Sequence, residues 1–204
     1  FNIGTDFTLL NHKLEGTIEY FNRKTSDMLY NKPVANSNGY SSIPMNIGSM
    51  TNSGVEIELN YTPIDINNLK WNIFGNATFL KNKVNKLHPD LNGELISGSR
   101  IYREGESMYQ LYLVKYAGVD PTTVQSLFWV KDDEGNAYTT ADYAVASNCK
   151  EATGDLLPTV YGGFGTSLDF YGFDFSIQFS YQLGGKLWDY TYQDLMHGGS
   201  NSNA

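Results

Sequence analysis

Strict alternation of apolar and polar residues over 173–183 limits the folds open to this chain more than any other sequence feature. The apolar positions of this segment are Phe173, Phe175, Ile177, Phe179, Tyr181 and Leu183. The residues between them are Asp174, Ser176, Gln178, Ser180 and Gln182. Because successive side chains of a β-strand point to opposite faces, the pattern predicts a strand with one apolar and one polar face. A run of about 11 residues also matches a tilted strand that crosses a bilayer, so the apolar positions are predicted to face lipid.

The same period of two recurs along the chain. Three further segments alternate in this way: residues 14–20, 55–62 and 69–78. Within the last of these, Phe74 interrupts the polar face. Weaker strand candidates are residues 1–10, 107–117, 126–131 and 159–170. No segment predicts a helix, and the 15 Tyr, 11 Phe and 20 Gly are typical of strands and turns. The sequence therefore predicts an all-β, antiparallel, up-and-down fold of about eight strands.

Short and long connections alternate between these strands. Tight turns are predicted at residues 11–13, 67–68 and 171–172, with a longer turn on the same side at 117–125. Long loops are predicted at residues 25–53, 82–106, 132–158 and 184–204. Connections sorted by end in this way are typical of an outer-membrane β-barrel, with short periplasmic turns and long extracellular loops. The alternative is a soluble β-sandwich, whose strands have about five or six residues and whose loops are not sorted by end.

Charge and the rarer residues exclude several functional classes. The chain has 22 Asp and Glu against 14 Lys and Arg, a net charge of −8, which argues against nucleic-acid binding. A single cysteine, Cys149, excludes an internal disulfide and a multi-cysteine zinc site. His12, His88 and His197 do not have metal-ligand spacing, and Asp132–Asn136 is interpreted as a solvated acidic turn rather than a calcium loop. We therefore predict no catalytic residue, no metal and no cofactor.

Aromatic residues in the long loops and at strand ends allow two interpretations. An apolar ring with a polar tip favours a membrane interface, which fits Trp188, Tyr190 and Tyr192. Ring faces can instead stack on sugar or peptide ligands. The candidate substrate-binding residues are the loop tyrosines Tyr30, Tyr40, Tyr102, Tyr138 and Tyr143. In the alternative reading of the whole chain, a secreted β-rich glycan-binding module would use such aromatics as a sugar platform.

Five segments carry short motifs that occur in a fixed order. The first two are Asn46-Ile-Gly-Ser-Met-Thr-Asn-Ser-Gly54-Val-Glu56, and Trp71 with Gly75-Asn-Ala-Thr-Phe-Leu-Lys-Asn-Lys-Val84. The third is Glu104-Gly105-Glu-Ser107 with Tyr116-Ala-Gly-Val-Asp-Pro121. The last two are Gly154 with Pro158-Thr-Val-Tyr-Gly-Gly-Phe164, and Phe173-Asp-Phe-Ser with Gly184-Gly-Lys186. Together these motifs resemble the SusC/RagA family of TonB-dependent outer-membrane transporters of Bacteroidetes. The resemblance extends over residues 1–186. Thr122–Gln125 departs from the Pro-x-Thr-Gly that is usual in the family, and this affects only a turn.

The resemblance implies a protein larger than this chain. Members of the family have a TonB box, a plug domain and a 22-stranded barrel, with a SusD-type surface lipoprotein as a lid. On this basis residues 1–204 are part of the barrel domain, and the plug and TonB box are absent from this chain. The implied function is the wall and extracellular loops of a nutrient importer, not an enzyme. It would take up oligosaccharides or peptides with a SusD-like lipoprotein, with TonB acting through the missing N-terminal part.

Overall fold

The structure, a computed structural model, describes residues 1–34, 37 and 39–195. Their strands are β1 (Asn2–Leu9), β2 (Leu14–Pro33), β3 (Ser42–Ile66), β4 (Leu69–Leu87), β5 (Glu94–Ser97), β6 (Arg100–Arg103), β7 (Gln110–Leu113), β8 (Lys115–Val119), β9 (Ser126–Lys131), β10 (Ala137–Thr140), β11 (Glu151–Asp155), β12 (Val160–Phe170) and β13 (Phe173–Leu183). The helices are α1 (Tyr143–Ser147) and α2 (Tyr190–Leu195), with a 3₁₀ turn at Pro89–Leu91. No helix among the described residues is long and apolar enough to span a bilayer.

A six-stranded antiparallel sheet, the wall sheet, dominates the fold. Its strands lie in the order β1-β2-β3-β4-β12-β13, and the sheet is open at β1 and at β13. The predicted antiparallel all-β fold is therefore confirmed. The wall sheet has six strands rather than eight, because candidates 107–117 and 126–131 pair within two smaller sheets. In those sheets Leu111 and Val130 are buried, which is how these short segments cover their apolar side chains.

The connections of the wall sheet are sorted by end. Tight turns at 10–13, 67–68 and 171–172 join its strands at one end, which we call the short-turn end, as predicted. In the last turn Tyr171 and Gly172 have φ of 48° and 85°, the backbone that a two-residue hairpin requires. The turn at 117–125 was predicted to lie at this same end, and that position is wrong. The turn joins β8 and β9, which belong to a smaller sheet within the long connection at the opposite end.

At that opposite end, the long-loop end, the strands are longer than their alternation predicts. Parts of the predicted loops 25–53 and 82–106 are strand, because β2, β3 and β4 continue past the wall and pair with one another. Residues 196–204 of the predicted loop 184–204 lie outside the described residues. The prediction of no helix is wrong for α1 and α2, both too short to show a helical period. Asp142 caps α1 by accepting a hydrogen bond from the Ala144 amide at 2.8 Å.

Residues 88–159, between β4 and β12, form a folded insert that we call the canopy. It contains the sheets β10-β9-β8 and β11-β7-β6-β5. Each sheet has its own buried centre, formed by residues such as Ile101 and Ala146, both fully buried. Glu151 links the two sheets, because its carboxylate lies 3.5 Å from Lys115 Nζ and 3.6 Å from Lys131 Nζ. The canopy is therefore a folded unit, and Leu91, Leu95, Tyr102 and Met108 pack it against Ile47, Val84 and Leu87 of β3 and β4.

Candidate functional site

From the short-turn end to the row that contains Tyr20 and Phe79, one side of the wall sheet, the apolar face, carries only uncharged residues across all six strands. Four rows of directly paired residues cross it: Ile3–Tyr20–Val55–Phe79–Val160–Leu183, Thr5–Ile18–Ile57–Ala77–Gly162–Tyr181, Phe7–Gly16–Leu59–Gly75–Phe164–Phe179 and Leu9–Leu14–Tyr61–Ile73–Thr166–Ile177. Two shorter rows, Trp71–Leu168–Phe175 and Leu69–Phe170–Phe173, continue it toward the short-turn end. Ten residue steps of about 3.3 Å, tilted by about 40°, give a height of about 25 Å, which is that of a bilayer-facing band.

The six residues predicted to face lipid all lie on the apolar face. They occupy β13, and five of them are exposed, from 39% for Ile177 to 78% for Phe173. Tyr181 is half-buried, and its hydroxyl donates a hydrogen bond to the Asn76 backbone oxygen at 3.0 Å. The register thus places these residues together on one uncharged surface, and the lipid that would cover them remains a prediction.

The opposite, polar face carries mainly Asp, Glu, Asn, Ser, Thr and Gln, with three aromatic exceptions, of which Tyr161 pairs with Thr78 and Gln182. Phe21 and Phe74 lie on it, and each is paired directly with a glycine, Gly54 and Gly165 respectively. A Cβ on Gly165 would lie 2.7 Å from the Phe74 ring, so the ring covers the bare backbone of its cross-strand neighbour. Phe74 therefore interrupts the sequence alternation because its ring packs on Gly165 of the neighbouring strand.

Three of the sequence motifs meet where the canopy joins the wall, at what we call the Asn82 junction. Asn82 is 5% exposed, and its Oδ1 accepts a hydrogen bond from the Met108 amide at 2.7 Å. Its Nδ2 donates to Asn52 Oδ1, also at 2.7 Å. The Val84 amide donates to the Glu106 carbonyl and the Gly105 amide donates to the Val84 carbonyl, both at 2.8 Å, so two backbone hydrogen bonds join a turn of the canopy to β4. Asn82 was not identified as important in the sequence analysis. Its place between Lys81 and Lys83 puts it on the opposite side of the strand from two charged residues, which could have indicated that it is buried.

Two further motifs meet at the other attachment of the canopy. The Lys186 amide donates a hydrogen bond to the Asp155 carbonyl at 2.8 Å. The methylene stem of Lys186 also lies over Gly154, where a Cβ would be 2.8 Å from Cε. Gly154 has φ of 141°, a backbone that side chains rarely adopt. The two motifs therefore hold the end of the canopy against the end of β13.

The five candidate substrate-binding tyrosines divide into two groups. Tyr30 and Tyr102 pack against a buried apolar cluster of Ile47, Val84 and Leu87. The remaining three are exposed: Tyr40 at 71%, Tyr138 at 46% and Tyr143 at 59%. Tyr143 makes an edge contact with Phe128, with 5.3 Å between ring centroids, so its position on the canopy is fixed. The exposed group presents the most ring surface to a ligand, since Tyr30 and Tyr102 are half-buried.

A cavity of about 620 Å³ lies at the Asn82 junction. Its lining includes Glu106, Ser107, Gln110 and Asp155 from the canopy. The Oε2 atom of Glu106 is buried and has no hydrogen-bond partner among the described residues. A buried acceptor without a partner is costly, so the junction carries this cost at Glu106.

The acidic turns of the canopy are closed by their own backbone. Asp132 Oδ1 accepts hydrogen bonds from the Asn136 amide at 2.8 Å and the Glu134 amide at 3.0 Å. The Asn136 amide, as the largest cause, holds the pKa of Asp132 below its usual value. The Thr122 amide likewise lowers the pKa of Asp120. In the described ranges no three His, Cys, Asp or Glu side chains come together as a metal site.

Asn82→Ala is expected to loosen the canopy at the Asn82 junction. The variant leaves the Met108 amide buried without its acceptor, so protection of that amide from hydrogen exchange should fall about tenfold or more. Asn85→Ala is the matched control, because Asn85 is exposed and its Nδ2 makes one hydrogen bond, to Thr51 Oγ1 at 2.7 Å. Equal loss of protection in both variants would show that Asn82 does not hold the junction.

Comparisons with known proteins match the chain along most of its length. The profile of the family described as "TonB dependent receptor-like, beta-barrel" matches residues 1–186. The chain is 29% identical to TonB-dependent receptor P3 of Formosa agariphila, covering 100% of this chain and 22% of the relative. It is 28% identical to TonB-dependent receptor SusC of Bacteroides thetaiotaomicron, covering 98% of this chain and 20% of the relative.

Solved structures show the same likeness. A structure of the RagAB peptide transporter matches with a TM-score of 0.76 and 27% identity, covering 89% of this chain and 20% of that one. The RagAB peptide importer in its "closed-closed" state matches with a TM-score of 0.78 and 26% identity, over 90% of this chain and 21% of that one. The chain thus spans between 20 and 22% of the length of these relatives.

Proposed function

This chain belongs to the TonB-dependent receptor-like β-barrel family of outer-membrane proteins, and from that premise we propose that it supplies wall and extracellular loops to a nutrient importer. Its likeness to SusC and to RagAB identifies it as a SusC/RagA-type member, as the sequence motifs indicate. The wall sheet would continue at both open edges into the rest of a 22-stranded plugged barrel.

The observation that carries the proposal is the uncharged apolar face together with the sorting of the connections. A secreted glycan-binding module would leave this face, six strands wide, in contact with water, which soluble proteins avoid on such a scale. A barrel covers the face with lipid and pairs both open edges. In the proposed orientation the short-turn end is periplasmic and the canopy is extracellular.

The proposed substrate is an oligosaccharide or a peptide. The titles of the RagAB structures call that protein a peptide transporter and a peptide importer, which supports the peptide class. A SusD-like surface lipoprotein would capture the substrate above the canopy, and TonB would act through the N-terminal part of the whole protein. The chain itself would bind and line a passage, without catalysis, metal, cofactor or nucleic acid.

The exposed tyrosines of the canopy end are the proposed contacts to substrate. Tyr40, Tyr138 and Tyr143 present ring faces on which sugar rings or peptide side chains can stack. Tyr30 and Tyr102 support the site through the cluster of Ile47, Val84 and Leu87. Trp188, Tyr190 and Tyr192 are proposed to lie at the membrane interface, where Trp188 and Tyr190 are in edge contact at 6.2 Å.

Uptake by whole cells tests the proposal. Cells that lack the gene for the whole protein are complemented with the native form or with the double variant Tyr138→Ala and Tyr143→Ala, and uptake of labelled peptide and oligosaccharide pools is measured. Loss of two stacking contacts should raise the substrate concentration at half-maximal uptake by about threefold to tenfold for one of the two pools.

Tyr171→Ala is the matched control for the double variant. Tyr171 is 68% exposed but lies at the short-turn end, away from the canopy, so uptake should be unchanged. Uptake of both pools at the full rate by cells without the gene would contradict the importer. If the double variant takes up both pools as the native form does, while cells without the gene do not, Tyr138 and Tyr143 do not contact substrate.

A further inference from the structure

A row of exposed lysines borders the apolar face at the long-loop end, and we propose that it binds the phosphate groups of lipids in the adjoining leaflet. The lysines are Lys24 on β2 and Lys81 and Lys83 on β4. The inference rests on the proposed function, because it requires lipid against the apolar face. It concerns the outside of the wall, whereas the proposed substrate contacts lie on the canopy.

The register fixes these lysines on the apolar side of the sheet. Lys81 pairs with Ser53, and Lys83 pairs with Thr51, which in turn pairs with Lys24. These pairs lie one and two rows beyond the edge row that contains Tyr20 and Phe79. Side chains alternate without a bulge from Phe79 to Lys83, so both β4 lysines share the side of Phe79. The ammonium groups thus begin where the uncharged surface ends.

Their spacing suits a lipid headgroup. Lys24 and Lys83 are separated by two strand spacings, about 9.6 Å, and Lys81 and Lys83 by two residue steps, about 7 Å. Flexible stems of four methylene groups let the ammonium groups reach up from an apolar surface to a phosphate. The aromatic rings of Tyr20 and Phe79, both exposed, lie directly beneath them at the level of an interfacial girdle.

The charge of these lysines is not neutralised by the chain. Within the part of the chain that the structure describes, none of the three forms a salt bridge, whereas Lys70, Lys115 and Lys131 do. This is unexpected for a chain of net charge −8. At the other edge of the apolar face, the last row, Leu69–Phe170–Phe173, has no basic residue. The lysines near that edge are held by the chain, because Lys13 Nζ donates to the Pro63 carbonyl at 3.2 Å and Lys70 Nζ lies 3.7 Å from Asp65.

Closure of the barrel would leave the lysine row uncovered. β2 and β4 are interior strands of the wall sheet, and further strands can add only beyond β1 and β13. The canopy attaches to inward-facing residues of the same strand, such as Asn82 and Val84, and so lies on the other side. Only lipid or bulk solvent meets this part of the wall in a closed barrel.

Lipid binding by the intact full-length protein tests the inference. The purified protein in a zwitterionic detergent is titrated with diphosphoryl lipid A, with fully dephosphorylated lipid A, and with inorganic phosphate, and bound lipid is counted by native mass spectrometry. The combined variant Lys24→Gln, Lys81→Gln and Lys83→Gln should bind diphosphoryl lipid A about tenfold or more weakly than the native protein. The difference should shrink as salt is raised, because the groups are exposed.

Matched variants separate the lysine row from charge in general. The triple variant Lys13→Gln, Lys70→Gln and Lys150→Gln removes the same charge elsewhere, leaves the ion pairs of Glu151 with Lys115 and Lys131 intact, and should keep native affinity. Arginine at positions 24, 81 and 83 should restore binding to within about twofold of native, which also controls for folding. Equal weakening in the control triple, or full binding by the glutamine triple, would overturn the inference. Displacement of lipid A by an equal concentration of inorganic phosphate would also overturn it in favour of a free-ion site.

Nutrient uptake separates this inference from the proposed function. Cells carrying the glutamine triple should retain uptake, since the lysine row is remote from the substrate contacts. Retained uptake with native lipid A binding by the triple would overturn only the lysine inference. A full-length protein found outside the outer membrane would overturn the proposed function and this inference together.

Discussion

Lysine in place of Ile177 is expected to lower the folding free energy of the full-length barrel in phospholipid vesicles by about 2–4 kcal/mol. Ile177 lies in the fourth of six rows of the apolar face, close to the middle of the predicted bilayer band. A lysine there must either bury its charge in hydrocarbon or stretch to the interface, and both are costly. Denaturant titration of folding into vesicles measures the change.

The control for this prediction is the adjacent residue of the same strand. Ser176→Lys introduces the same side chain at the adjacent position, but on the polar face, which would line the lumen in the proposed barrel. Its expected cost is below about 0.5 kcal/mol, as for a surface substitution. If both variants lose the same stability, or if Ile177→Lys loses almost none, the apolar face does not meet lipid on this strand.

Alanine in place of Gly48 is expected to cost about 3 kcal/mol or more in the free energy of unfolding. Gly48 lies between strand irregularities on β3 and has φ of 147°. An added Cβ would collide with the Lys86 carbonyl oxygen, which belongs to the neighbouring backbone and cannot rotate away. The strain would fall on Ile47 and Leu87, two buried residues of the cluster beneath the canopy.

Gly93→Ala separates backbone strain from collision. Gly93 also has a positive φ, 85°, but a Cβ there would have no atom within 4 Å. Its expected cost is about 1 kcal/mol, the price of the left-handed backbone alone. Limited proteolysis of the canopy in both variants reports where the structure opens. Similar stability in the two variants would mean that the Lys86 backbone moves aside at little cost.

The wall sheet was largely predictable because alternation records which side of a strand is buried. The turns at 67–68 and 171–172 and the apolar positions of β13 are where the sequence places them. Phe74 is a residue that alternation does not explain. Its ring contradicts the alternation, and only the cross-strand pairing with Gly165 explains why a polar face carries it.

The canopy was not predictable from the same signal. Strands such as β5 and β6 have four residues each, too few for a period of two to stand out. The extension of β2 was missed because residues 22–27 are all polar, so no apolar face marks the strand. On β3 the alternation of Ile43, Met45 and Ile47 was a readable signal, but Pro44 and Gly48 argued against a strand. The family motifs indicated which residues matter, but not that those around Asn82 converge, since pairing across the chain is a tertiary property.

Pairing of β4 with β12 has a consequence for the order in which the sheet assembles. Strands β1 to β4 are joined by short connections and can pair in chain order. Strand β12 can pair with β4 only when the ends of the 88–159 segment reach their final positions. Closing a loop of that length costs entropy and slows folding when the loop is free chain. Because the strands of the segment pair with one another, part of it can be ordered before β12 reaches β4. Mutations that unfold the canopy should therefore slow the pairing of β12 with β4, although no strand of the canopy belongs to the wall sheet.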